Sequence, residues 1–168
     1  LISNGYAAMG IALPGAIAAK LVHPDKNVVA VVGDGGFLMT SCELETAKRL
    51  GLGIVIIVWV DNSYGLIEWK QKDIFGKAFG VYFKNPDFVK YAESFGIKGY
   101  KISKAGDFLP LLKQSLGTKE PVLIEIPIDY SENLKLTEKL GKITRPIYAL
   151  RMVNNFYLLS GYLNPLMT

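Results

Sequence analysis

Residues 27–37 read Asn27-Val28-Val29-Ala30-Val31-Val32-Gly33-Asp34-Gly35-Gly36-Phe37 (NVVAVVGDGGF). A nearly continuous apolar run, rich in β-branched side chains and without in/out alternation, predicts a strand covered on both faces, as in a parallel sheet. It runs straight into a glycine-rich turn that carries one carboxylate. Outward from this stretch the same apolar pattern returns at residues 54–60 (IVIIVWV) and 122–128 (VLIEIPI), with a weaker candidate at 99–102 (GYKI). Helical segments separate these runs. Residues 5–21 are small or apolar all round, and Pro14 predicts a kink or break there. Residues 40–50 open with Thr40 and Glu43 at capping-box spacing and close with Lys48, Arg49 and Gly51. Residues 86–95, preceded by Asn85 and closed by Gly96, and residues 107–116 complete the set. Strands alternating with helices predict a doubly wound α/β fold, a mostly parallel sheet with helices on both faces.

A chain of 168 residues, half of them hydrophobic and with a positive mean hydropathy, suits one domain with a real core and excludes a disordered role. The longest apolar run, residues 54–60, ends at Asp61 and falls far short of the roughly 20 residues a membrane span needs. The first twenty residues lack the basic start of a secretory signal. One cysteine, Cys42, forms no internal disulfide, so a reducing, cytoplasmic setting is expected. The net charge of +4, from 19 basic and 15 acidic side chains, is thinly spread, densest at Lys135, Lys139, Lys142 and Arg145. It forms no basic stripe with interleaved aromatics, and nucleic acid is not an expected partner. The chain opens with Leu1 inside a helix-like stretch, which predicts a piece of a longer protein. Past Gly141 the composition changes, with Arg145 and Arg151 the only charges between Thr144 and Thr168. A domain over residues 3–141 and a tail of unknown role over 142–168 are expected.

The second apolar strand runs into Asp61-Asn62-Ser63-Tyr64-Gly65. If both strands are parallel, this loop and the first open at one edge of the sheet, beyond the carboxyl ends of the strands, where such folds bind ligands. Gly33, Gly35 and Gly36 permit close backbone approach and positive φ. The N–H groups of that loop, through Phe37, and a helix amino end near Thr40 favour an anion such as a diphosphate. A carboxylate in an anion site is repulsive unless a cation lies between, so Asp34 argues for a metal, and oxygen ligands beside phosphate argue for Mg2+. Asp61 offers a second carboxylate, and a carbonyl near Ser63 a third ligand. An aspartate in a glycine-rich turn is on its own more often a turn residue bonded to nearby backbone. Two of them, each ending a buried strand, favour the metal. No GxGxxG and no GxxxxGK[ST] occurs.

Gly33-Asp34-Gly35, with Asp61 lying 27 positions after Asp34, resembles the motif of thiamine-diphosphate-dependent enzymes. The resemblance implies Asp34 and Asp61 as side-chain ligands of Mg2+ and the Ser63 carbonyl as a third, with Tyr64 and Gly65 completing the cofactor loop. Val60-Asp61 stands where that family commonly has Asn-Asn. Aspartate there looks like the catabolic acetolactate synthase branch, and its extra charge implies a tighter metal and a looser cofactor. The segment from Gly5 through Met9 and Gly10 to Pro14 is similar to the one lying along the cofactor's rings, which implies that the Ala7 carbonyl and the Met9 amide hold the aminopyrimidine. Residues 43–47 (ELETA), 91–96 (YAESFG) and 121–130 also look like acetolactate synthase, so that the resemblance spans residues 3–141.

It implies decarboxylation of a 2-oxo acid such as pyruvate and ligation to a second, in branched-chain amino acid or acetoin formation. It further implies a homodimer or tetramer whose separate pyrimidine-binding domain supplies the activating glutamate, so no catalytic residue is assigned within this chain and the chain alone is expected to be inactive. A pyruvate oxidase, a 2-oxo acid decarboxylase and a non-catalytic assembly subunit are the competing readings. In the decarboxylase branch an acidic residue lies where this chain has Ile67, although Glu68 is one position away. His23 is expected to be solvated, Cys42 to lie in the core and Trp59 to pack. Glu68 and Trp69 are open between pocket and packing.

Overall fold

The computed structural model describes residues 8–130. Ala7, the boundary at residue 141 and the tail lie outside the described residues.

Six helices and four strands alternate among these residues. Helix α1 (Ala12–Val22) leads to β1 (Val28–Gly33), then α2 (Asp34–Leu38), α3 (Glu43–Arg49) and β2 (Ile54–Val60). There follow α4 (Gly65–Phe75), α5 (Phe88–Ser94), β3 (Lys98–Lys101), α6 (Ala105–Leu116) and β4 (Val122–Pro127). The sheet order is β1-β2-β4-β3, parallel throughout, with Val28 opposite Ile54, Val55 opposite Val122 and Lys98 opposite Val122. The doubly wound α/β class is therefore as expected.

Two apolar layers flank the sheet. Alternate residues Ile54, Ile56, Val58 and Leu123 pack on one face with Leu13, Phe37, Leu44, Phe88 and Ala92, from α1, α2, α3 and α5. Val55, Ile57, Val122 and Ile124 pack on the other with Phe108, Leu111 and Leu112 of α6. The central strands β2 and β4 are thus buried on both faces. β1 is not, contrary to its composition: Ala30 is buried but Val29 and Val31 are 39% and 47% exposed. The cause is position. β1 lies at the edge of the sheet, and α6 reaches only the middle of that face.

Local departures have equally local causes. α1 starts at Ala12, so Pro14 lies in the first turn, where a missing N–H costs nothing, and no break occurs. The Thr40–Glu43 capping box does not form. Thr40 Oγ1 instead donates to the Gly10 carbonyl at 2.8 Å, and α3 begins at Glu43 with no side-chain cap. α5 is capped by Asp87, whose Oδ1 accepts from Lys90 N at 3.0 Å, rather than starting at Pro86. Two helices, α2 and α4, had no counterpart in the periodicity, because a glycine-rich five-residue turn and a surface segment with no buried residue carry no apolar stripe.

Candidate functional site

Because β1 and β2 are neighbours and parallel, with Gly33 opposite Trp59, the turns that follow them meet at one edge. Asp34, the first residue of α2, is 1% exposed. Its Oδ2 accepts from Asp61 N at 3.2 Å, from Asn62 N at 2.8 Å and from Asn85 Nδ2 at 2.6 Å. Its Oδ1 accepts from Gly35 N alone, at 2.8 Å. The two loops expected to converge do so through this carboxylate.

Asp61 turns back on its own loop, its Oδ1 accepting from Ser63 N and its Oδ2 from Ser63 Oγ, each at 3.2 Å. Burial raises its carboxyl above the ordinary 3.8; the Ser63 backbone bond opposes this and the Asp34 charge adds to it. Between them Asn62 holds φ at 60°, the left-handed region that asparagine tolerates better than most residues. The buried Ser63 forms an isolated antiparallel bridge with Tyr82. Tyr64 N donates to the Val81 carbonyl at 2.9 Å and Phe83 N to the Asn62 carbonyl at 3.1 Å. A third segment, residues 81–85, therefore clamps the second loop.

The glycines do something other than expected. None of Gly33, Gly35 and Gly36 has positive φ. A Cβ on Gly35 would lie 2.6 Å from Tyr64 Cε1, and one on Gly36 3.2 Å from Val32 Cγ2. These two are glycines because α2 sits tight against its own protein neighbours. Only Gly33 faces open space, with nothing within 4 Å of a built Cβ. The helix amino end expected near Thr40 lies instead at Asp34, and Thr40 N donates to the Phe37 carbonyl at 3.1 Å.

Gly10, with φ of 89°, packs against Thr40 and Met39, which brings the Met9 segment beside α2. Met9 is 45% exposed there. Of the remaining positions, Phe37 is fully buried and edge-on to Phe88, a core residue rather than a surface of the site. Tyr64 packs against Phe83 with the rings tilted by 49° at a centroid distance of 4.9 Å, and Gly65 opens α4. Glu68 Oε1 accepts from Tyr82 Oη at 2.7 Å and pairs with Lys72, and these bonds hold its carboxyl below the ordinary 4.5. Trp69 is half-buried and Ile67 exposed. His23 is exposed as expected; Cys42, expected in the core, is exposed too, and Trp59 is 41% exposed. Both corrections follow from their positions, Cys42 at the cap of a short surface helix and Trp59 near the end of a strand. Asn85 was missed, since before Pro86 and Asp87 it reads only as a helix boundary.

Two carboxylates, Asp34 and Asp61, thus stand together at adjacent strand ends. The family model described as "Thiamine pyrophosphate enzyme, C-terminal TPP binding domain" matches residues 1–126. The chain belongs to this family. This thiamine pyrophosphate-binding domain is 46% identical over 143 residues to an acetolactate synthase of Bacillus subtilis, a match covering 84% of the chain and 25% of that relative. It is 44% identical over 140 residues to a catabolic acetolactate synthase of Raoultella terrigena, covering 83% and 25%. The domain also superimposes, with a TM-score of 0.71 and 30% identity, on a thiamine diphosphate-dependent 4-hydroxybenzoylformate decarboxylase of Rhodococcus jostii RHA1, over 76% of this chain and 24% of that one. The chain thus spans about a quarter of the length of the relatives it matches.

Proposed function

We propose that the chain is the diphosphate- and Mg2+-binding domain of an acetolactate synthase-like enzyme of the catabolic type, working in branched-chain amino acid or acetoin formation. The observation that carries the metal half is the pair Asp34 and Asp61. They sit together through three hydrogen bonds from the second loop and Asn85 to one Asp34 oxygen, and no ion pair to either carboxylate is found among the described residues. Two carboxylates without a cationic side chain, one of them with its ionisation already resisted, fit a divalent cation supplied from outside. The described residues hold no cluster of three or more His, Cys, Asp or Glu. The protein's share of the ligand set is read, from the family resemblance, as Asp34, Asp61 and the Ser63 carbonyl, all oxygen, leaving further places for the diphosphate and water that Mg2+ prefers to keep.

The cofactor loops are read as Gly33, Gly35, Gly36 and Phe37 with Tyr64 and Gly65, and Ala7 and Met9 as the backbone partners of its aminopyrimidine. Open space beside Gly33 supports the approach of an anion. When bound, thiamine diphosphate supplies the acidic carbon on which 2-oxo acids are decarboxylated, and the protein's part is to bind, orient and exclude water. The ligating branch is favoured over the decarboxylase by Ile67. The adjacent Glu68 is engaged by Tyr82 and Lys72, which stabilise its ionised form, so it is not poised to donate a proton.

The domain is read as residues 3–141 of a larger homodimer or tetramer that acts on pyruvate. In that assembly a separate pyrimidine-binding domain contributes the activating glutamate, so the chain by itself is inactive. A cytoplasmic location fits the lone cysteine, and no helix among the described residues is long and apolar enough to cross a membrane. Calorimetric titration of the chain with thiamine diphosphate in the presence and absence of Mg2+ tests the binding. Metal-dependent heat is the expected result, and thiamine diphosphate binding that ignores Mg2+ would sink the reading. Product analysis with pyruvate on the assembled enzyme distinguishes acetolactate from acetaldehyde or acetyl phosphate.

A further inference from the structure

Asn85 belongs to neither loop of the site, yet it touches both. Its Nδ2 donates to Asp34 Oδ2 at 2.6 Å and to Asn62 Oδ1 at 3.0 Å. The segment before it is pinned to the second loop by the Tyr64–Val81 and Phe83–Asn62 backbone bonds. The residue after it is Pro86, which restricts Asn85 to extended backbone, and Asp87 then caps α5. The amide is therefore held from both sides. Its own Oδ1 is buried without a partner, a cost that packing alone gives no reason to retain.

The consequence lies in how the lone pairs of Asp34 are used. A carboxylate oxygen has about two lone-pair sites. Oδ2 already faces three donors, Asp61 N, Asn62 N and Asn85 Nδ2, and has none to spare. Oδ1 faces one, Gly35 N, and keeps a site open. We infer that Asn85 is a positioning residue: its amide, the shortest of the three contacts to Oδ2 at 2.6 Å, anchors the Asp34 carboxylate against the second loop and fixes the direction in which Oδ1 meets a cation. This rests on the metal reading above. Mg2+ demands near-ideal octahedral geometry and so depends on a ligand held in one direction, whereas Ca2+ tolerates flexible coordination. Asn85 therefore sets which divalent ion the site prefers as well as how tightly it holds one.

The test titrates Mg2+ and, separately, Ca2+ into the full chain by calorimetry at saturating thiamine diphosphate, for the wild type, Asn85→Ala and Asn85→Ser. Orienting contacts to metal ligands change affinity by roughly 10–100-fold, so Asn85→Ala is expected to weaken Mg2+ by at least tenfold. Ca2+ is expected to weaken less, shifting the preference toward it by about tenfold or more, with the metal-free thermal midpoint little changed. Asn85→Ser, smaller but still a donor, is expected to fall between, and it decides the matter if the alanine variant does not fold. Unchanged affinities in a folded variant overturn the inference while leaving the metal reading intact. So does an equal loss for both ions together with a lowered metal-free midpoint, which marks a structural role. A wild type that binds neither ion overturns both.

Discussion

At the scale of single residues, the site is organised by one buried carboxylate. Asp34 satisfies three backbone N–H groups and one amide, so its structural role is separable from any ligand. Asp34→Ala strands those donors. A buried group left unpaired costs about 1–3 kcal/mol, so the metal-free protein is expected to lose roughly 3 kcal/mol in urea denaturation, along with Mg2+-dependent cofactor binding. Glu68 yields a pH prediction. Its carboxyl is held below 4.5, chiefly by the bond from Lys72 and then by that from Tyr82. The folded state thus binds that proton less readily than the unfolded chain does. The stability it contributes is complete above the ordinary 4.5 and is lost as pH falls from there through its lowered folded value. Across pH 3–6, Glu68→Gln is expected to remove this part of the acid sensitivity, the wild type's advantage over the variant shrinking toward the acid end. Asp34 and Asp61 were both legible in sequence, since a carboxylate in the turn that ends an apolar run is a local pattern. Asn85 was not, because its importance arises from two hydrogen bonds across 51 and 23 residues of chain.

At the scale of elements, the close packing of helix on strand explains a glycine inside the sheet. Gly99 of β3 faces α5, and a Cβ there would lie 2.8 Å from Val89 Cα and 2.9 Å from its carbonyl oxygen, both backbone atoms that a rotamer change cannot move away. Gly99→Ala is expected to cost about 1–3 kcal/mol, the usual range for overpacking, read as a lowered denaturation midpoint with an unchanged slope. The strands themselves were readable because β2 and β4 are apolar on both faces: β2 was found at its expected residues 54–60, β4 ends one residue earlier than expected and β3 starts one residue earlier. The helix starts were less so. A cap needs the hydroxyl turned toward the helix N–H groups, and Thr40 instead turns its own to donate to the carbonyl of Gly10, thirty residues away.

At the scale of the whole molecule, burial follows rank in the sheet rather than composition. Ile56 in central β2 is fully buried, and Ile56→Ala is expected to cost about 2–5 kcal/mol. Val31, of the same character on paper, stands 47% exposed on edge strand β1, and Val31→Ala is expected to stay within roughly 0.5 kcal/mol; chemical denaturation of both variants checks the contrast. A cost at Val31 equal to that at Ile56 would mean that something covers the edge in solution. What the sequence by itself determined is the parallel α/β class and the two carboxylates at strand ends, because apolar runs and turn chemistry are properties of neighbouring residues. Which strand is central, which glycines are needed for packing, and which asparagine touches both loops were decided only by the tertiary structure. Each depends on groups far apart in the chain being brought within a few ångströms, and no local pattern records that.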